Sequence, residues 1–208
     1  MEVILEQIIN GLTIGSFYAL IALGYSMVYG VLKLINFAHG DFFTLGSYLG
    51  YTVLVFGSAF LTAHFGLWGA LIVALITAAA SLAVVGLIVE RLAYRPVYPA
   101  GRLPAVVSAL GASVFLQNAI MVGWGPRCQA YPAELIPSVH FQLGSIRLTL
   151  LLIVILALSF FLMSLLYYIV QKPTFGAAIR ATAHDRKTAS LMGINISKVI
   201  VFVFPLGP

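Results

Sequence analysis

The sequence predicts an all-α fold, a polytopic transmembrane helical bundle with five full spans and a truncated sixth. Three observations carry it: apolar composition, a series of runs long enough to cross a bilayer, and basic charge gathered between alternate runs. Hydrophobic residues make up 62% of the 208 and charged residues 8%, and mean hydropathy is +1.06. A chain this apolar cannot cover itself with polar surface in water, which excludes a soluble globular domain.

A helix rises about 1.5 Å per residue and a bilayer core is about 30 Å thick, so a span needs roughly 20 apolar residues. Residues 8–32, the run after Asp41 to about Phe60, 67–89, 105–123 and 148–170 supply five such runs. A sixth begins at Val199 and stops at Pro208, too short to cross, which predicts a fragment or truncated product. No repeat, linker or soluble segment intervenes, so 1–208 reads as a single membrane domain. Glu2 and Glu6 stand where a secretory leader would be basic, and no small-residue cleavage site follows.

Net charge is +5, yet of eleven Lys and Arg residues three lie in 90–104 and five in 171–198. That placement follows the positive-inside rule rather than a nucleic-acid surface and predicts both segments to be cytoplasmic. By parity the N-terminus is external, residues 33–41 lie toward the cytoplasm, and 124–146, with Pro126, Pro132 and Pro137, form an external loop. Cys128 is the only cysteine, leaving no intrachain disulfide and no multi-cysteine metal site.

Small residues four apart, Gly11 with Gly15 and Gly46 with Gly50, predict close helix approach in the first two spans, which places them in the bundle interior. The bulky fifth span, with Tyr167 and Tyr168 at its inner end, predicts a lipid-facing rim. His64 reads as a loop histidine and His140 as an external surface residue. Trp68 and Trp124 suit interfacial belts, and Tyr18, Tyr25 and Tyr29 suit packing.

Two polar segments stand out. In "KLINFAHGDFFTLGSY", residues 33–48, Asn36, His39 and Asp41 surround Gly40. One reading is a helix start: Asp41 caps the second span, Asn36 closes the preceding turn, Gly40 takes an unusual backbone angle and His39 sits neutral among headgroups. The other is an interrupted helix lining a substrate path. There Asp41 meets an ammonium, the N–H groups of the helix start meet a carboxylate, and Phe37 and Phe42 brush an apolar side chain.

The second segment, residues 172–198, is amphipathic and predicts one short helix, rich in Ala177, Ala178, Ala181, Ala183 and Ala189 and stopped by Gly193 in a left-handed conformation. Its basic charge suits anionic lipid, whereas its small-residue surface suits a groove on another protein, with Arg180, Asp185 and Arg186 on or beside that surface.

"GLTIGSFYALIALGYSMVYGVLKLINFAHGDFFTLGSY", "ERLAYRPV", "GASVFLQN" and "GAAIRATAHDRKTASLMGIN", in that order, resemble the permease subunit of bacterial branched-chain amino-acid ABC importers, the H-type subunit of the leucine, isoleucine and valine system. The family usually has glutamate where Asp41 stands, and "VFVFPLGP" departs from the small-residue helix and further spans of similar permeases. The resemblance implies an inner-membrane transport subunit, not an enzyme, with Asn36, Phe37, His39, Gly40 and Asp41 along the substrate pathway. It also implies ATPase coupling through Ala178, Arg180, Ala181, Asp185, Arg186, Ala189 and Gly193, the Ala189–Gly193 spacing resembling the coupling signature.

The implied partners are a homologous permease, two ABC ATPases and an external, periplasmic binding protein. No Walker A sequence occurs, so ATP is bound by partner subunits and the chain needs no cofactor or metal of its own. Urea or short-amide uptake is the near alternative. An ion-coupled carrier would leave the alanine-rich helix without a purpose, and a hydrolase built on His39, Asp41 and Ser47 would need those groups to converge.

Overall fold

The computed structural model describes residues 2–135, 140–143 and 146–206. Helix α1 (Glu2–Leu32) ends where Lys33 adopts φ 55, a left-handed conformation that no further helical turn can follow. Helix α2 (His39–Val89) is broken at Gly66, whose φ of 68 and ψ of 177 suit a residue without a Cβ. Its two limbs, 39–65 and 67–89, fold back on one another. A Cβ placed on Gly46 would lie 3.2 Å from Leu82 and one on Gly50 3.7 Å from Ala78, while Leu54, Leu61, Ala70 and Ala74 close the outer end of the same seam. The close approach expected of Gly46 and Gly50 is therefore present, inside a helical hairpin with almost no loop.

Gly11 and Gly15 do not behave alike: a Cβ on either would meet nothing within 4 Å. The expectation of close packing there is corrected within this chain, because α1 buries its last turns, Val28, Val31 and Leu32, and leaves Ile4, Ile8 and Leu12 exposed.

A π turn (Glu90–Tyr94) continues α2, and the Ser108 hydroxyl satisfies its Ala93 carbonyl at 2.5 Å. Helix α3 (Arg102–Trp124) follows and stops at Gly125, φ 86. Its last residue, Trp124, donates Nε1–H to Thr52 Oγ1 at 2.7 Å and packs on Tyr48. Tyr131, beyond it, donates to the Ser47 carbonyl at 2.9 Å. The expectation of an external loop covers residues outside those described, Pro137 among them, as does that for the His140 side chain. Where the chain is described again it forms an antiparallel pair of strands, β1 (His140–Leu143) and β2 (Ile146–Thr149), which a purely helical reading missed.

Helix α4 (Leu150–Gln171) packs on α1 and, at its end, on α5, and buries fully only Ser159 among its described residues, in keeping with a rim position. The single helix expected over 172–198 is corrected: Asp185, at φ −150 and ψ 113, divides it into α5 (Thr174–His184) and α6 (Arg186–Leu191). Helix α7 (Ile196–Leu206) then packs on α1, α2 and α5.

The main core lies where the ends of α1, α2, α3, α5 and α7 meet. Phe42, Tyr94 and Phe204 are all but fully buried there, the Phe204 ring edge-on to both others at 6.2 and 5.2 Å. Among the described residues four helices are long and apolar enough to cross a membrane, α2 among them with both limbs in one continuous segment, so the protein is membrane-integral.

Candidate functional site

Residues 33–41 are the joint between α1 and α2. After Lys33 turns the chain, Asn36 folds its side chain back, Oδ1 accepting the Ala38 N–H at 3.1 Å, which closes the turn as expected. The same oxygen accepts the Tyr94 hydroxyl at 2.6 Å. Its Nδ2 donor is buried without an acceptor among the described residues, a condition that costs about 1–3 kcal/mol.

His39 is 7% exposed, which corrects the expectation of an imidazole among headgroups: the turn made by Asn36 carries it inward against α1. Nε2 lies 3.2 Å from the Ile21 carbonyl and the ring meets Tyr25 edge-on. A carbonyl only accepts, so Nε2 carries the proton and Nδ1 is left as a buried acceptor with no donor among the described residues.

Asp41 does not cap α2. The N-cap is Ala38, with no side-chain bond, because the Asn36 turn starts the helix three residues before the aspartate. Asp41 stands in the first turn, favoured there by the helix dipole, and its Oδ2 accepts the Ser113 hydroxyl of α3 at 2.5 Å. Gln117 Nε2 donates in turn to Ser113 Oγ at 3.2 Å. Gly40 is ordinary helix, the left-handed angle having been taken by Lys33. Phe37 is exposed and Phe42 is in the core, so the two do not share a surface.

What emerges is a partly open polar face: Gly40, Thr44 and Ser47 exposed on α2, Asp41 half-buried beside them, and Gln117 exposed on α3. His39, Asp41 and Ser47 do not converge, each bonding elsewhere, Ser47 Oγ to the Phe43 carbonyl at 3.1 Å. Tyr94, Ser113 and Gln117 escaped the sequence reading. Their signal was there: Ser113 and Gln117 are polar residues four apart in an apolar run, and all three lie in the segments "ERLAYRPV" and "GASVFLQN".

The segment α5–α6 is fastened by two arginines. Neither α1 nor α4 has a basic residue in its last turn, where free carbonyls and the negative end of the dipole gather. Arg180 donates Nη1–H to the Val170 carbonyl of α4, and Arg186 donates Nε–H (3.0 Å) and Nη2–H to the Val31 carbonyl of α1. Gly176 permits this docking, since a Cβ there would collide with the Val170 and Ile169 carbonyls.

Asp185 caps α6. Its carboxylate accepts the Thr188 hydroxyl and the Lys187 N–H, which hold its pKa below the usual carboxylate range, the Thr188 bond first. Gly193 has φ 83, and the bonds Gly193 N–H to Ser190 and Ile194 N–H to Ala189 form a Schellman ending, as expected of a stop. The uniform alanine surface is corrected: Ala189 is 4% exposed, Ala178 and Ala181 are half-buried, and Leu191 and Met192 protrude instead. The reason is the break at Asp185, which turns Ala189 inward.

Long apolar helices around a buried polar joint, with a short helical segment gripping two span ends, define a helical membrane protein. Residues 7–207 match the family described as the permease component of the branched-chain amino acid transport system, and the chain belongs to that family. It is 38% identical over 209 residues to the high-affinity branched-chain amino acid transport system permease protein BraD of Pseudomonas aeruginosa, and 38% over 213 residues to LivH of Escherichia coli K12. Each match covers 98% of this chain, which spans 66% of the relative's length. No solved structure matches the chain. The resemblance read from the sequence motifs is thus borne out.

Proposed function

We propose that 1–208 forms one permease domain of an ATP-driven importer of branched-chain amino acids, placed in the bacterial inner membrane and paired with a homologous permease. Two ABC ATPases bind and hydrolyse the ATP, and an external binding protein delivers the substrate. Both relatives are permease proteins of branched-chain amino acid transport systems, which supports the cargo. In this reading α1, the two limbs of α2, α3 and α4 make five crossings and α7 enters a sixth. Residues 33–38, 90–101 and 172–198 face the cytoplasm, which the gathering of basic charge there supports.

The substrate path runs along the polar face of Gly40, Asp41, Thr44 and Gln117, with Asn36, Phe37 and His39 at its inner end. A zwitterion with an apolar side chain needs little more than one carboxylate for its ammonium and apolar walls, and Asp41 is the half-buried carboxylate on that face. The observation that carries the mechanism is the pair of Arg186 bonds to the Val31 carbonyl, five residues before Asn36. ATPase movement reaching Lys187, Leu191 and Met192 would pull the end of α1, and with it the joint that holds His39 and Asp41.

The reading is tested by assembling the complete importer in proteoliposomes and measuring ATP-dependent uptake of labelled leucine, with urea as competitor. Leucine uptake that urea leaves untouched supports it; uptake of urea in place of leucine overturns the cargo. Cysteines replacing Arg127 and Lys187, in a Cys128→Ser background, test orientation with an impermeant thiol reagent. Only the first should label on intact cells.

A further inference from the structure

We propose that a groove between the end of α2 and the start of α7 binds one anionic phospholipid from the bilayer leaflet it faces. The groove holds about 730 Å³ and is lined by Leu87, Arg95, Asn195, Ser197, Lys198 and Phe202, among others, with no Asp or Glu in its lining. It is separate from the polar face of the proposed path and from the arginines that fasten α5–α6.

Its two walls run in opposite directions along the chain, Gly86 facing Pro205 at the deep end. From Arg95 back to Leu87 and from Lys198 on to Pro205 the lining changes from cationic to apolar, over roughly 10 Å at helical rise. Both cations are exposed, and the Phe175 ring meets Phe202 edge-on at 4.3 Å to close one side. The carboxylate that acts on Arg95 is Glu90, which Arg91 shares and which is 3% exposed, outside the groove.

Two cations and two small polar side chains above an apolar slot match a phosphodiester headgroup above an acyl chain. Basic pockets between helices at the positive side of a membrane protein have that chemistry. A free phosphate would use the cations and leave the slot empty, whereas a zwitterionic lipid would fill the slot and bring its own cation to Arg95 and Lys198. The apolar depth and the cationic lining, which holds Arg95 and Lys198 and no carboxylate, together select an anionic lipid. The inference depends on membrane placement and not on the cargo, so a failed transport assay leaves it standing.

The test titrates the purified full chain in neutral detergent with fluorescent phosphatidylglycerol, with phosphatidylcholine of the same chains, and with unlabelled glycerol phosphate as competitor. Phosphatidylglycerol should bind roughly tenfold more tightly than phosphatidylcholine, glycerol phosphate should not displace it at equal concentration, and Arg95→Gln with Lys198→Gln should abolish the preference. A control pair, Lys172→Gln with Lys187→Gln, removes the same charge elsewhere at that end and should retain it. Equal binding of both lipids, displacement by glycerol phosphate, or equal loss in the control pair each overturns the site. Helicity by circular dichroism confirms that each variant is folded.

Discussion

The Tyr94 hydroxyl donates to Oδ1 of Asn36 across 2.6 Å, tying a π turn to a joint 58 residues earlier. One amide oxygen thus holds both the local turn, through Ala38, and the long-range closure of the core. Tyr94→Phe removes one neutral buried bond and leaves the turn intact, at a cost of about 1 kcal/mol. Asn36→Ala frees the tyrosine hydroxyl and the Ala38 N–H together and should cost about 2–4 kcal/mol. Thermal unfolding in a fixed detergent measures both. An alanine variant no worse than Tyr94→Phe would deny Asn36 its central place.

Asp41 accepts from Ser113, so an amide at position 41 keeps an acceptor oxygen and removes only the charge. Asp41→Asn should therefore fold and assemble like the parent yet lower the initial rate of leucine uptake by about tenfold or more, a charged partner being worth more than a neutral one. Ser113→Ala should leave the charge and reduce uptake less. Equal uptake by the parent and Asp41→Asn, at matched permease levels, would remove the carboxylate from the path.

Three glycines separate strain from crowding. Gly193→Val forces a β-branched residue to φ 83 and should cost about 1–2 kcal/mol, loosening α6 from α7. Gly176→Ala drives a methyl into two α4 carbonyls and should be more damaging still. Gly40→Ala, in open helix, should stabilise by about 0.5–1 kcal/mol. Melting midpoints of the three variants rank them directly, and a destabilised Gly40→Ala would show that something packs on that face.

The Asp185 cap gives α6 a pH dependence. Its folded pKa is depressed, so its contribution is full above the unfolded value of about 3.9 and fades as pH falls through the lower folded value. The melting difference between the parent and Asp185→Ala should be constant from pH 8 to pH 5 and shrink below about pH 4. A difference that instead changes between pH 8 and pH 6 would contradict the aspartate cap.

The crossing segments were legible because hydropathy is a local property: the limbs of α2, α3 and α4 lie within a few residues of the runs that announced them. Gly193 was legible for the same reason, a glycine closing an alanine-rich helix. The joint was legible as a place and not as a geometry. That Asn36 meets Tyr94 and Asp41 meets Ser113 depends on how α2 folds back at Gly66 and brings α3 alongside, which no local pattern encodes. Ala189 was misread because the break at Asp185 rotates α6, and Gly11 and Gly15 because small-residue spacing does not say whether a partner helix is there.

In the proposed importer Arg186, bonded to the Val31 carbonyl, carries work from the coupling segment to the joint. The most direct test is the ratio of leucine molecules imported to ATP hydrolysed by the complete importer in proteoliposomes, for the parent and for Arg186→Gln. Loss of two hydrogen bonds from a charged group to one helix end, about 1.5–3 kcal/mol each, should lower that ratio by at least tenfold while ATPase subunits stay bound and hydrolysis continues. An unchanged ratio in a variant that retains its ATPases would contradict the account.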